Sequence, residues 1–255
     1  PVILQVSSGA RKYANQILLR HMAKGAMEII AESEHPIPVA LHLDHGDTFD
    51  LCKSCIELGF SSVMIDGSHL PFEENIEMTK KVVDMCGPRG VSVEGELGRL
   101  MGVEDEISVS ENEAVYTDPA QAEEFVERTG CDSLAIAIGT SHGAYKFKAQ
   151  PKLAIGILDE IASRVSIPLV LHGASAVPPD VLELATRYGA KLPGAKGVPP
   201  ESIREAIGGG ISKVGAWSRL TSRSAVPETP MPENRSPRSS GLVRRMTEAR
   251  KFFSI

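Results

Sequence analysis

Short runs of valine, isoleucine and leucine recur along this chain. Between them lie longer stretches in which apolar residues return every three or four positions. The runs at 2–7, 38–44, 62–66, 91–96, 132–138, 167–172 and 211–215 are close to continuous in apolar residues, the pattern of strands buried on both faces. Residues 15–32, 48–59, 72–85 and 119–129 carry helical spacing. The last of these opens on Asp118-Pro119, a capping carboxylate followed by proline at the first helical position. Such strand–helix alternation predicts a parallel sheet covered by helices. Seven strands fall one short of a TIM (β/α)8 barrel, and a doubly wound open sheet is the alternative.

The polar residues decide between the two. Ser7, Asp44-His45, Asp66, Glu96, His142, His172 to Ser175 and Gly215 all fall at or just past the C-terminal ends of predicted strands. A barrel gathers those ends around one mouth. An open sheet would spread them along an edge and offer a glycine-rich dinucleotide loop, but the first loop, Ser7-Ser-Gly-Ala10, has no such pattern. The barrel is the expected fold. Within it, His45, His142 and His172 each follow a buried run, and three imidazoles with one open position are the way a catalytic zinc ion is held. Asp44, directly beside His45, adds an acid/base group. The pattern points to a metal-dependent lyase or hydrolase.

Composition narrows the picture further. The 255 residues suit one barrel domain spanning 1–255. A net charge of −6 argues against nucleic-acid and membrane partners while leaving room for local phosphate sites. No apolar stretch has the length of a membrane span. Nothing at the start reads as a signal peptide; the chain opens directly on a strand. The four cysteines do not suggest a disulfide framework in a chain this long. Cys52 and Cys55 sit within a helical pattern and read as neighbours on one helix face, so a reduced, cytoplasmic protein is expected. Residues 97–118, rich in acids and glycine, form a candidate mobile lid. Periodicity is lost over 216–241, and 242–253 recovers a basic amphipathic pattern.

Phosphate binding calls for backbone N–H groups and hydroxyls in a tight loop. Gly173-Ala174-Ser175 after His172 fits, as does Gly143 beside His142, with Lys146 and Ser7 adding a charge and a hydroxyl. His42 shares a strand face with Asp44 and reads as a core histidine. Glu94 shares a face with Glu96 by period-two alternation and reads as an interior polar residue.

Several motifs together carry a resemblance. They are Leu41-His-Leu-Asp-His-Gly46, Ser62-Val-Met-Ile-Asp-Gly-Ser-His69, Val91-Ser-Val-Glu-Gly-Glu-Leu-Gly98, Ala137-Ile-Gly-Thr-Ser-His-Gly-Ala-Tyr-Lys146 and Leu169-Val-Leu-His-Gly-Ala-Ser175. Over residues 1–214 the chain resembles the class II, zinc-dependent fructose-1,6-bisphosphate aldolases. Lys191-Leu-Pro-Gly-Ala-Lys-Gly-Val-Pro199 is similar to one branch of that family. The likeness departs at two places. The family has a strand and helix ahead of the position of Pro1, so strands 2–7 and 211–215 are expected to flank a gap one strand wide rather than pair. After Val214 the family carries Asn-x-Asp-Thr-Asp, where this chain has Gly215-Ala-Trp-Ser-Arg219, the start of a divergent segment, 215–255.

The resemblance implies reversible cleavage of fructose 1,6-bisphosphate into dihydroxyacetone phosphate and glyceraldehyde 3-phosphate. It implies zinc held by His45, His142 and His172, and Glu96 as a ligand when the metal moves. Asp66 would serve a second divalent position, and a monovalent cation (Na+ or K+) would sit near the phosphate loops. Asp44 would exchange the C4 hydroxyl proton. Glu104, in Gly102-Val-Glu-Asp105, would handle the C–H proton of the dihydroxyacetone half, with Asp105 and Glu106 as alternatives. The substrate would be a small phosphosugar and the enzyme a homodimer or homotetramer. A tagatose-bisphosphate aldolase, a metal-dependent barrel hydrolase and a catalytically impaired metal-binding paralogue are the alternatives.

Overall fold

The computed structural model of the chain describes residues 1–99, 101–104, 107–109, 115–142, 152–174, 183–184, 186–189 and 197–215. Its first half comprises β1 (Val2–Ser7), α1 (Ser8–Ala14), α2 (Gln16–Ala31), β2 (Val39–Gly46), α3 (Phe49–Glu57), β3 (Ser62–Ile65), α4 (Phe72–Cys86) and β4 (Ser92–Leu97). Then come β5 (Met101–Glu104), β6 (Ile107–Val109), α5 (Pro119–Thr129), β7 (Ser133–Ile136), β8 (Ser141–His142), α6 (Ile155–Arg164), β9 (Leu169–Leu171), α7 (Pro200–Gly209) and β10 (Ile211–Val214). Each predicted strand corresponds to a strand of one sheet, ordered β1-β2-β3-β4-β7-β9-β10. Every ladder in it is parallel.

That sheet is curled. Lys213 on β10, at one end of the order, places Nζ 3.0 Å from His42 Nε2 on β2 and 2.7 Å from Glu94 Oε2 on β4. Side chains from the second, fourth and last strands meet only if the sheet wraps around a common interior, so the fold is a barrel wall and not an open sheet. Among the described residues no ladder joins β1 to β10.

Pleating sorts the residues. Val63 and Ile65, Leu134 and Ile136, and Leu169 and Leu171 point outward into two aliphatic clusters beneath the helices. Met64, Ala135 and Val170 point inward and form a small cluster of their own. On β4, Gly95 faces outward against Phe125 of α5, which leaves Glu94 and Glu96 inside. A register shift between Ile211 and Lys213 keeps β10 from strict alternation. The extra residue allows Ile211 and Val214 to join the outer cluster while Lys213 enters the interior.

The helices follow their local signals. Asp118 Oδ1 accepts from Ala120 N and Gln121 N at 2.9 Å, Pro119 is the first helical residue, and Gly130 closes α5 at φ 67°. The predicted helix 15–32 is α2, preceded by a short α1 that the sequence pattern did not reveal. Asn15, at φ 62°, separates the two and accepts from Ile17 N. The connection 97–118 contributes β5 and β6 to a second sheet, in which β5 pairs antiparallel with β6 and parallel with β8 from beyond α5. An Arg99–Val115 bridge closes its stem. The patterns at 216–241 and 242–253 lie outside the described residues. Among the described residues no helix is long and apolar enough to cross a membrane.

Two consequences are measurable. A Cβ on Gly95 would lie 2.7 Å from Phe125 Cε1, and Phe125 is fully buried. Gly95→Ala should therefore destabilise the protein by about 1–3 kcal/mol in denaturant unfolding. All four cysteines are free and buried. Burial pushes the Cys55 and Cys131 thiols up to about 11 and Cys86 to about 12, and raises Cys52 as well. A thiol reagent at mildly alkaline pH should label none of them quickly in the native state and all of them after denaturation.

Candidate functional site

The site begins where β2 ends. Strict alternation would send Asp44 inward and the next residue, His45, out under the helices. His45 instead adopts φ 46°, a left-handed conformation that costs energy in a residue with a Cβ. The β2–β3 register shifts between Leu43 and Gly46 at the same point. The turn brings both side chains to the mouth of the barrel. It also needs glycine at 46, where a Cβ would meet Met64 O at 2.6 Å and Leu43 Cδ2 at 2.8 Å.

Three other strand ends converge on His45. Its Nδ1 lies 3.0 Å from Asp66 Oδ2, just past β3, and 3.3 Å from Glu96 Oε2 on β4. Its Nε2 lies 3.3 Å from His172 Nδ1, just past β9, with the two rings edge to face at 4.5 Å between centroids. Asp44 Oδ1 lies 3.8 Å from His172 Nδ1 and accepts from Gln5 Nε2 of β1 at 2.7 Å. Asp66 is held from its other side, where Oδ1 accepts from Ser68 N at 3.0 Å.

A second tier of polar groups lies deeper in the interior. Glu94 Oε1 is 2.8 Å from His172 Nε2, and its Oε2 accepts from Lys213 Nζ. Lys213 Nζ also donates to His42 Nε2, and His42 Nδ1 contacts Ser62 Oγ at 2.8 Å. Every one of these groups is buried.

Charges follow from this packing. Burial alone would push Asp66, Asp44 and Glu94 up. For Asp66 the hydrogen bond and charge of His45, with the Ser68 donors, outweigh it. For Asp44 the three neighbouring histidines, His172 first, do so together with Lys213. For Glu94 the ammonium of Lys213 leads, with His172 and His42 behind it. All three carboxyls are held below their usual range and stay ionised. Burial lowers both interior histidines: His42 falls to about 3, with Lys213 adding to the effect, and His172 falls with help from His45. Both rings are neutral at pH 7.

Neutral rings have one N–H each, and the partners show where it sits. His172 Nε2 faces a carboxylate and so carries the proton, which leaves a lone pair on Nδ1. In the neutral form that metal binding requires, His45 carries its proton on Nδ1, which faces two carboxylates, and its lone pair on Nε2. Those two lone-pair atoms are the ones 3.3 Å apart. Two bonds of about 2.0–2.1 Å from one tetrahedral zinc ion require nitrogens roughly 3.3 Å apart, so the spacing suits a shared metal. Two sets of donor atoms, each mutually within 4.8 Å, could hold an ion: Asp44, His45 and His172, and His45, Asp66 and Glu96.

Of the residues expected from sequence, Asp44, His45, Asp66, Glu96 and His172 are thus brought together. His142 lies on β8, its backbone in register with Gly102, and Glu104 lies on β5 opposite Ile107; their side chains lie outside the description. Ser7 is the register partner of Asp44, and its Oγ caps α1 by accepting from Ala10 N at 3.2 Å. Gly173 turns at φ 66° and Ala174 is buried. Gly143, Lys146 and Ser175 lie outside the described residues. Sequence reasoning missed Gln5 and Lys213 altogether and left Glu94 and His42 without partners. Each is a polar residue inside an apolar strand, and that was the available signal.

A curled, all-parallel barrel wall with His, Asp and Glu groups at its mouth that could hold a metal ion agrees with one family. The chain belongs to the class-II fructose-bisphosphate aldolases, whose family model matches residues 1–249. It is 54% identical over 214 residues to the fructose-bisphosphate aldolase of Helicobacter pylori strain J99, covering 84% of this chain and 68% of that protein. To the fructose-bisphosphate aldolase of Giardia intestinalis it is 52% identical over 217 residues, covering 84% and 65%. Among solved structures it is similar to a putative fructose-1,6-biphosphate aldolase from Coccidioides immitis, with TM-score 0.65, 31% identity and coverage of 85% and 67%. It is also similar to the YdjI aldolase of Escherichia coli K12, with TM-score 0.62, 33% identity and coverage of 86% and 65%. The chain spans about two-thirds of the length of these relatives.

A divalent ion that binds the folded state alone should stabilise it. At a zinc concentration of 100 times Kd the gain is about 2.7 kcal/mol. Zinc titration should raise the melting temperature of the chain, and His45→Ala should remove the rise.

Proposed function

We propose that this chain reversibly cleaves fructose 1,6-bisphosphate to dihydroxyacetone phosphate and glyceraldehyde 3-phosphate. Zinc would be held by His45, His172 and His142. The observation that carries the reading is the convergence of His45 Nε2 and His172 Nδ1 beside the ionised Asp44, in a chain of the class-II aldolase family. When bound, the metal supplies Lewis-acid stabilisation of the negative charge that develops on the substrate's carbonyl oxygen.

The protein supplies the proton transfers and the positioning. Asp44 accepts the C4 hydroxyl proton as the C3–C4 bond breaks, and returns it to the aldehyde oxygen in condensation. Gln5 anchors one of its oxygens, so the carboxylate keeps its orientation through both directions. Glu104 exchanges the C–H proton of the dihydroxyacetone half. Glu96 and Asp66 form, with His45, an alternative ion position on the inner side of the same ring. Ser7, Gly143, Lys146 and the Gly173-Ala174-Ser175 loop take the phosphates, with a monovalent cation beside them. The reading extends to a cytoplasmic homodimer or homotetramer, in keeping with four free, buried cysteines.

Triose phosphate release from fructose 1,6-bisphosphate should be abolished by a chelator and restored by zinc. Asp44→Ala should keep bound zinc and lose about 10²–10⁴-fold in turnover. Turnover that survives an excess of chelator, or an Asp44→Ala protein as active as the unaltered chain, would sink the proposal.

A further inference from the structure

Zinc reads one nitrogen of an imidazole, and the group on the other nitrogen decides which one it is. For His172 that group is Glu94, and Glu94 does not act alone. Its Oε2 accepts from Lys213 Nζ at 2.7 Å, while its Oε1 faces His172 Nε2 at 2.8 Å. An ammonium has donors only, so Lys213 holds Glu94 as an acceptor. The ammonium is in turn fixed by neutral His42, whose Nε2 accepts from it at 3.0 Å and whose Nδ1–H can then go only to Ser62 Oγ. With Glu94 ionised by Lys213, the chain of contacts Ser62–His42–Lys213–Glu94–His172 places the His172 proton on Nε2. It leaves the lone pair of His172 on Nδ1, toward His45 Nε2 and Asp44.

This arrangement is ill suited to stabilising the fold alone. A buried ion pair is often no better for stability than apolar residues of the same volume. Here the pair also needs a bulge in β10 to bring Lys213 inside, and a second buried histidine to complete it. What the arrangement achieves is a single orientation of one ring.

We propose that Lys213 is a positioning residue for metal binding: acting through Glu94 and braced by His42 and Ser62, it fixes His172 as the Nε2–H form with Nδ1 presented to the ion. The inference rests on the zinc reading above and deepens it.

The first measurement is made on the unaltered, metal-free chain labelled with ¹⁵N-histidine, where long-range ¹H–¹⁵N correlations report the proton position in each ring. His172 is expected as the Nε2–H form before any zinc is added. Lys213→Met, similar in length but without a donor, should give mixed proton positions at His172. It should weaken zinc binding, read by competition with a chromophoric chelator, by about 10–100-fold. Lys213→Arg should recover part of the loss. Should Lys213→Met not fold, the double variant Lys213→Met with Glu94→Gln carries no unpaired buried charge and should show the same weakening. An Nδ1–H form of His172 in the metal-free chain overturns the proposal. So does a folded Lys213→Met or double variant that binds zinc as tightly as the unaltered chain. A failure of the unaltered chain to bind zinc counts against the zinc reading, and the proton position of His172 still judges the positioning on its own.

Discussion

The ion pair between Lys213 and Glu94 ties the barrel together across its own interior. A charge taken out of water must find a partner, and these two sit on strands that are not neighbours in the sheet. Their meeting requires the curl of the wall, and His42, from a third strand, closes the contact. The outer faces of the same strands need no such partners. Their leucines, valines and isoleucines pack beneath the helices by area alone. The wall is therefore apolar outside, while its interior joins a small apolar cluster of Met64, Ala135 and Val170 to the charged groups that specify orientation.

His45 is the pivot of the site. Its left-handed backbone lets two consecutive residues, Asp44 and His45, face the same space. Local strain of this kind persists only where the surroundings hold it. Here Gly46 fits against Met64 O, and Asp66 and Glu96 receive the ring. The two donor sets that could hold an ion share this one histidine. Its Nδ1 faces the carboxylates of one set and its Nε2 the imidazole of the other.

Asp66, Asp44 and Glu94 are held ionised: Asp66 by His45 with the Ser68 donors, Asp44 by the histidines around it and Lys213, Glu94 by Lys213 first. The three differ in their freedom. Glu94 is committed on both oxygens and Asp66 likewise. Asp44 is the least buried of the three, anchored through one oxygen by Gln5. A group that gives and takes a proton needs such access, which suits Asp44 to the proton transfer proposed for it.

Much of this was written in the chain. The near-continuous apolar runs located each strand of the barrel sheet, because a strand covered on both faces needs apolar residues at both parities. Placement of Asp44, His45, Asp66, Glu96 and His172 at strand ends foretold their convergence, because a parallel barrel puts all those ends at one mouth. The tertiary structure decided the rest. The β5–β6–β8 sheet has too few apolar residues to announce itself, and its pairing comes from separate parts of the chain. The inward turn of Lys213 depends on a bulge that no local pattern marks. The pairing of Glu94 with His172 spans 78 positions in sequence, and which carboxylate meets which ring is set by the curl of the sheet, a property of all its strands together.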